Sequence, residues 1–287
     1  MSEHRRARMW CVPEPIAEHR ALFRHDEPDV YVATPLARGP WDDHALHGGA
    51  VAALLARAVE QCDPGPADFV TRLTVELLRP VPLAALRVEA RTVRPGRSVQ
   101  WIDAEVSDET GRRVAAAHAL RVRRDPTAPF AVGDAAQPVG IAMPRTVDAC
   151  PPQPIGFLDR VGFWSACELR LAAGTWMEPG PGAAWIRLVA PVVPDEAPSP
   201  FQRVCAAADF GSGVGNPVRG AGAGAINAEL TVHVHRPAAG EWIGLDARAW
   251  AHAEGTGLTE SVLHDSVGPI GRGTQAMVML PTVPWVQ

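Results

Sequence analysis

Residues 41–61 read WDDHALHGGAVAALLARAVEQ, and the triplet His47-Gly48-Gly49 stands where an apolar helix begins. A Ser or Asp cap would serve helix stability better than glycine. Two glycines at that place imply that something must come close to bare backbone N–H groups, which have no intrahelical partner and sit at the positive end of the helix dipole. Other residues could also do chemistry. His233 and His235 lie two apart on one strand and so on one face; with no third ligand nearby, an ordinary sheet face is expected rather than a metal site. The stretch DFGSGVGNPVRGAGAGA (209–225) is glycine-rich but does not lead from a strand into a helix, which argues against a dinucleotide or phosphate loop. It reads as a connection or as a cover over a site. The five cysteines, Cys11, Cys62, Cys150, Cys167 and Cys205, form no CxxC pattern, so neither a disulfide framework nor zinc is expected.

These residues need elements to hold them, and the chain supplies two similar sets. LTVELLRPVP from Leu73 matches LTVHVHRPAA from Leu230, with Arg79-Pro80 and Arg236-Pro237 at the same offset. Arg91 and Arg248 follow at equal distance, then Asp108-x-x-Gly111 and Asp265-x-x-Gly268, then the strands AAAHALRVRR and GTQAMVML. Four matches in one order indicate an internal duplication. Counting ten residues from each Asp pairs Gln275 with His118, and Asp209 falls opposite Glu60 or Gln61.

Each half reads as a strand (VYVAT, 30–34; AWIRLVA, 184–190), one helix (AVAALLARAVEQ; FQRVCAAAD), then three or four long strands separated by turn signals. The first helix is apolar on nearly every side, broken by Arg57 and Glu60, so other structure must enclose it. The expected fold is α+β: a helix wrapped by an antiparallel sheet, twice. The expected halves are 1–124 and 156–287, joined by a Pro-rich linker at 125–155.

The formal net charge of −5 gives no bulk basic footprint for nucleic acid, although all 27 basic residues are Arg. No run of 18 apolar residues occurs, and the start MSEHRRARMW lacks the apolar core of a signal peptide, so a cytoplasmic chain without membrane spans is expected.

HGGAVAALLARAVE after Trp41, LTVELLRPVP, VRPGRSVQWIDAEV, CAAADFGSG, INAELTVHVHRP and the Gln275 strand together resemble the double hotdog, acyl-CoA thioesterase II-like family. That resemblance implies hydrolysis of an acyl-coenzyme A or acyl-carrier thioester, with one site per duplicated chain, no cofactor or metal, and a homodimer. It implies a catalytic Asp at Asp209 and a Gln at Gln275, and it puts Asn227 where the family has Thr. Asp209 would act as base or nucleophile, and Asn227 and Gln275 would hold water in line. His47, Gly48 and Gly49 would then border the thioester oxygen, with Gly49 the leading donor. Gly49→Val is accordingly expected to cut turnover without unfolding the chain. His47 reads more readily as a structural cap than as an acid. Arg94 and Arg97 could meet a coenzyme A phosphate, or only water. Two other readings stand beside hydrolysis. One is a catalytically silent acyl-thioester binding or assembly protein. The other is a hotdog hydratase, which needs an Asp/His pair; no His follows in the FGSGVGNPV segment.

Overall fold

The computed structural model describes residues 19–125, 142–153, 160–175, 178–218 and 224–280. The first half holds β1 (Phe23–Glu27), β2 (Val30–Ala33), α1 (Gly48–Gln61), β3 (Phe69–Leu77), β4 (Ala85–Arg94), β5 (Val99–Ser107) and β6 (Arg113–Val122). The second holds β7 (Cys167–Ala173), β8 (Gly182–Leu188), α2 (Pro200–Ala208), a one-turn α3 (Gly211–Val214), β9 (Gly224–Asn227), β10 (Glu229–Val234), β11 (Trp242–Ala251), β12 (Thr256–His264) and β13 (Pro269–Leu280).

All these strands join one antiparallel sheet in the order β1-β2-β4-β5-β6-β3-β10-β13-β12-β11-β8-β7, with β9 also on β13. The second half repeats the order of the first in reverse, and the halves meet where β3 pairs with β10. Thr74 lies opposite Thr231, its own duplicate, with the two hydroxyl oxygens 3.0 Å apart. A pseudo-twofold axis therefore passes between these residues.

Two helices fill the inside of this sheet. Every residue of α1 from Gly49 to Arg57 is buried, and so is Val59. The alanines of α1 and Ala206–Ala208 of α2 let the two helices approach closely, and one continuous core cluster joins both halves. Fully burying a residue such as Leu54 or Leu55 contributes ~2 kcal/mol. The helix starts differ. His47 stands at the N-cap of α1, its Nδ1 3.0 Å from the Gly49 nitrogen. Ser199 caps α2 by accepting the Gln202 N–H, with Pro200 in the first turn.

Several expectations need amending. A strand precedes each anticipated first strand: β1 and β7 were not foreseen. The stretch read as a connection at 209–225 begins with α3 and ends in β9, while its residues 219–223 lie outside the described residues. Much of the expected linker, 126–141 and 154–155, also lies outside them; 142–153 packs on the second half, with the Trp185 indole donating to the Arg145 carbonyl at 2.7 Å.

The pairing of Gln275 with His118 was one residue off. Leu73 is opposite Ala119, and register carries its duplicate Leu230 opposite Gln275. The first-half hairpin between the last two strands has one more residue, so counting from the turn slips by one. A one-residue slip changes faces: Ala119 is buried, whereas His118 is half exposed and paired with Asp103 at 2.8 Å.

Candidate active site

Asp209 closes α2 at its C-cap position and is 5% exposed. Three side chains converge on its carboxylate. Asn227 donates from Nδ2 to Oδ1 at 2.6 Å, and Gln275 donates from Nε2 to the same oxygen at 3.3 Å. His47 Nδ1 lies 2.8 Å from Oδ2. Asn227 is opposite Met277, two residues along from Gln275, so strand alternation puts both amides on one face.

Gln275 also ties the helix break together. Its Nε2 donates to the Asp209 carbonyl at 3.2 Å, and its Oε1 accepts the Ser212 N–H at 3.0 Å. It thus satisfies the end of α2 and the start of α3 at once. A Cβ on Gly211 would sit 2.7 Å from Gln275 Oε1 and from Ser261 Oγ, so a side chain here would press on this clamp.

The two glycines at the start of α1 meet this carboxylate. A Cβ on Gly48 would lie 2.8 and 2.9 Å from the Asp209 carboxylate oxygens. A Cβ on Gly49 would lie 2.7 Å from both the Ala206 carbonyl oxygen and Phe163 Cε1. The glycines are therefore required by close packing, whatever they bind. The second contact is with backbone, so Gly49→Val would disturb the helix pair itself and is not the clean activity test that sequence suggested.

His47 Nδ1 is placed to accept the Gly49 N–H at 3.0 Å and also touches Asp209. One ring nitrogen cannot serve both. A bare Nδ1 would set its lone pair against a carboxylate oxygen, whereas a protonated Nδ1 makes a charge-assisted bond, roughly twice as strong as a neutral one. The ionised carboxylate therefore selects Nδ1–H. The Gly49 N–H, 3.0 Å away at the positive end of α1, then finds no lone pair on that nitrogen.

The resemblance points to Asp209, Asn227 and Gln275, and the glycine helix start points to His47, Gly48 and Gly49; the structure brings the six together. Sequence reasoning missed the His47–Asp209 contact, because the two lie 162 positions apart in the chain. It also missed the aromatic walls of the imidazole: Phe163 and Phe210, with ring centroids 4.7 and 5.2 Å from that of His47. The only local signal was Phe210 directly following Asp209. Arg94 and Arg97 are exposed.

A helix enclosed by half of a sheet, then repeated across a pseudo-twofold, defines a double hotdog. Family models extend this from fold to lineage: one described as the acyl-CoA thioesterase N-terminal domain matches residues 37–122, and one described as the C-terminal domain matches residues 144–279. The chain belongs to the acyl-CoA thioesterase family. A hot dog fold protein from Alicyclobacillus acidocaldarius is similar in structure, with TM-score 0.67 and 19% identity over 93% of this chain and 99% of that one. An acyl-CoA thioesterase II from Mycobacterium marinum aligns with TM-score 0.60 and 17% identity, over 90% and 96% of the two chains. The tesB protein of Mycobacterium avium gives TM-score 0.63 and 14% identity, over 94% and 99%. No curated protein matches the sequence. Among the described residues no helix is long and apolar enough to cross a membrane.

Proposed function

We propose that the chain hydrolyses an acyl-coenzyme A or acyl-carrier thioester, with Asp209 activating water. The observation that carries this reading is the convergence of Asn227, Gln275 and His47 on one buried carboxylate at the glycine start of a helix. Asp209 is held in a fixed orientation, as a base must be. Water attacks the thioester carbon and gives its proton to Asp209. The developing oxyanion meets the Gly49 N–H, and the α1 dipole favours its charge. Collapse breaks the C–S bond, and the thiolate leaves with the proton that Asp209 received. Phe163 and Phe210 supply apolar surface beside the reacting group. Asn227 in place of Thr still donates to the carboxylate, which favours an active site over a silent one. The proposal includes halves at 1–124 and 156–287, a cytoplasmic location and a homodimer.

The test is free-thiol release from short, long, branched and aromatic acyl-CoA esters by wild type and Asp209→Asn. A fall of about a hundredfold or more is expected for loss of a general base. Release that survives Asp209→Asn would remove Asp209 from the mechanism. One observation favours a second reading, hydration of an enoyl thioester: the Asp/His pair that sequence lacked locally is formed across the halves by His47 and Asp209. Loss of the conjugated enoyl absorbance without thiol release would select it.

A further inference from the structure

The pseudo-twofold axis places a counterpart of the candidate site at the other end of the helix pair. Counting from the two helix caps, Ser199 stands for His47, and Pro200 and Phe201 stand for Gly48 and Gly49. Strand register puts Val70 in the place of Asn227 and Ala119 in the place of Gln275. A cavity of about 200 Å³ opens here, and its lining includes Glu60, Val70, Pro200, Phe201, Phe69 and Ala238. The donors of the first site are missing from it. Proline has no N–H, and valine and alanine carry no polar group. Phe201 keeps its N–H, but the two side-chain amides of the first site have no counterpart beside Glu60, so this end lacks that site's donor set.

It offers a carboxylate acceptor, Glu60, instead. The Glu60 carboxylate accepts from Ser199 Oγ at 2.7 Å and from Gln202 Nε2 at 2.9 Å, and both partners are neutral. With the amide nitrogen turned to Glu60, Gln202 Oε1 is buried with no partner. The nearby cations are committed elsewhere. Arg57 binds Glu196 at 2.7 Å, and Arg121 serves Gln100 and the carbonyls of Val59 and Asp63. Of the arginines in the lining, Arg124 pairs with Asp68 and Arg236 with Asp265. Burial raises the Glu60 pKa against the hydrogen bonds from Ser199 and Gln202 and the nearby charge of Arg121. A partly buried carboxylate among apolar walls and beside the Phe201 ring is complementary to an ammonium group; the Phe69 ring already carries the Arg124 guanidinium, 5.7 Å from its centroid.

We propose that this cavity binds a small primary amine with an apolar body, its ammonium group on Glu60 and its body against Val70, Phe69 and Ala238. An engineered apolar cavity of ~150 Å³ holds benzene, so a phenyl ring or short alkyl chain fits this one. The probes are benzylamine and n-butylamine, with benzyl alcohol and benzoate as matched controls, measured by calorimetry and thermal shift on the full chain. Saturable one-site binding of an amine is expected, with the alcohol and the benzoate at least ~10-fold weaker, a difference of ~1.4 kcal/mol. Glu60→Gln should weaken amine binding by a similar factor. Ala238→Leu narrows the cavity without touching the carboxyl and should weaken the amine and the alcohol alike; it also serves if Glu60→Gln does not fold. No saturable amine binding up to about 10 mM, well beyond the millimolar range of weak sites, would overturn the proposal. So would equal affinity for the alcohol or the benzoate, or affinity unchanged in both variants. None of these readouts depends on thioester hydrolysis, so the failure of one reading leaves the other standing.

Discussion

Gly48→Ala adds a single methyl group, and the structure says where it would go. The new Cβ would sit 2.8 and 2.9 Å from the Asp209 oxygens and 3.1 Å from its Cγ. Even close C–H···O contacts keep carbon and oxygen ~3.3 Å apart, so about 0.5 Å must be absorbed. The carboxylate cannot yield freely, because Asn227, His47 and Gln275 hold it from other directions. Tilting it off its rotamer costs ~1 kcal/mol, and loosening one charged hydrogen bond costs ~2 kcal/mol. The helix preference of alanine over glycine returns up to ~1 kcal/mol. The net expectation is a loss of about 2 kcal/mol in stability. A misplacement of ~1 Å costs about a hundredfold in rate, so half of that should cost about tenfold in kcat. The assay is thiol release with kcat and KM resolved, alongside thermal unfolding. Gly48→Ala with unchanged kcat and equal or higher Tm would refute the reasoning. Gly49→Ala, which strikes the Ala206 carbonyl at 2.7 Å, should lose more stability than Gly48→Ala.

Gln275→Leu keeps the side chain's size but orphans the Ser212 N–H and the Asp209 carbonyl; a loss of ~2–4 kcal/mol in urea unfolding is expected, and less than ~1 kcal/mol would show that Gln275 does not clamp the helix break. Leu55→Ala, in the shared core, should cost ~2–5 kcal/mol and unfold both halves in one transition, whereas two separated transitions would contradict a single core. Acid stability should depend on Asp265. Burial alone would raise this carboxyl, but the Arg236 guanidinium and the N–H groups of Ala239, Val267 and Gly268 hold it at about 2. Its contribution is therefore complete above the unfolded value of ~3.9 and is lost as pH falls toward about 2. Asp265→Asn should flatten the pH dependence of Tm in that window; an unchanged slope would remove Asp265 from the linkage.

The duplication was legible because it is written locally. Arg79-Pro80 and Arg236-Pro237 recur at fixed offsets from like strands, and strand and helix periods carry the rest. The short strand β1 escaped because FRHDE lacks a clear alternation; β7 escaped although CELRL alternates apolar and charged residues, because so short a run gains its partner only from the sheet. α3 escaped because GSGV has no helix preference of its own; Gln275 and the neighbouring strands hold it in place. The His47–Asp209 pair escaped for a similar reason: the contact exists only once the helices pack. The slip from Ala119 to His118 shows how fragile counting is across a hairpin, since one added turn residue moves a proposed counterpart from the inner face to the outer.

The candidate site uses the duplication asymmetrically. Its helix start, with His47 and the two glycines, comes from the first half, and the carboxylate and both amides come from the second. A duplicated hotdog has two such meeting points by symmetry. In this chain Gly48-Gly49 and Pro200-Phe201 have diverged in opposite directions: one start admits close approach to backbone N–H groups, and the other abolishes an N–H and fills the space with a ring. Neither half holds a complete site. Loss of a donor set at one end of the helix pair therefore leaves the other end intact, because the two ends draw on different residues of each half. The shared core explains why both halves must persist even though only one end keeps the donors: α1 is enclosed on one side by its own strands and on the other by α2, which also carries Asp209.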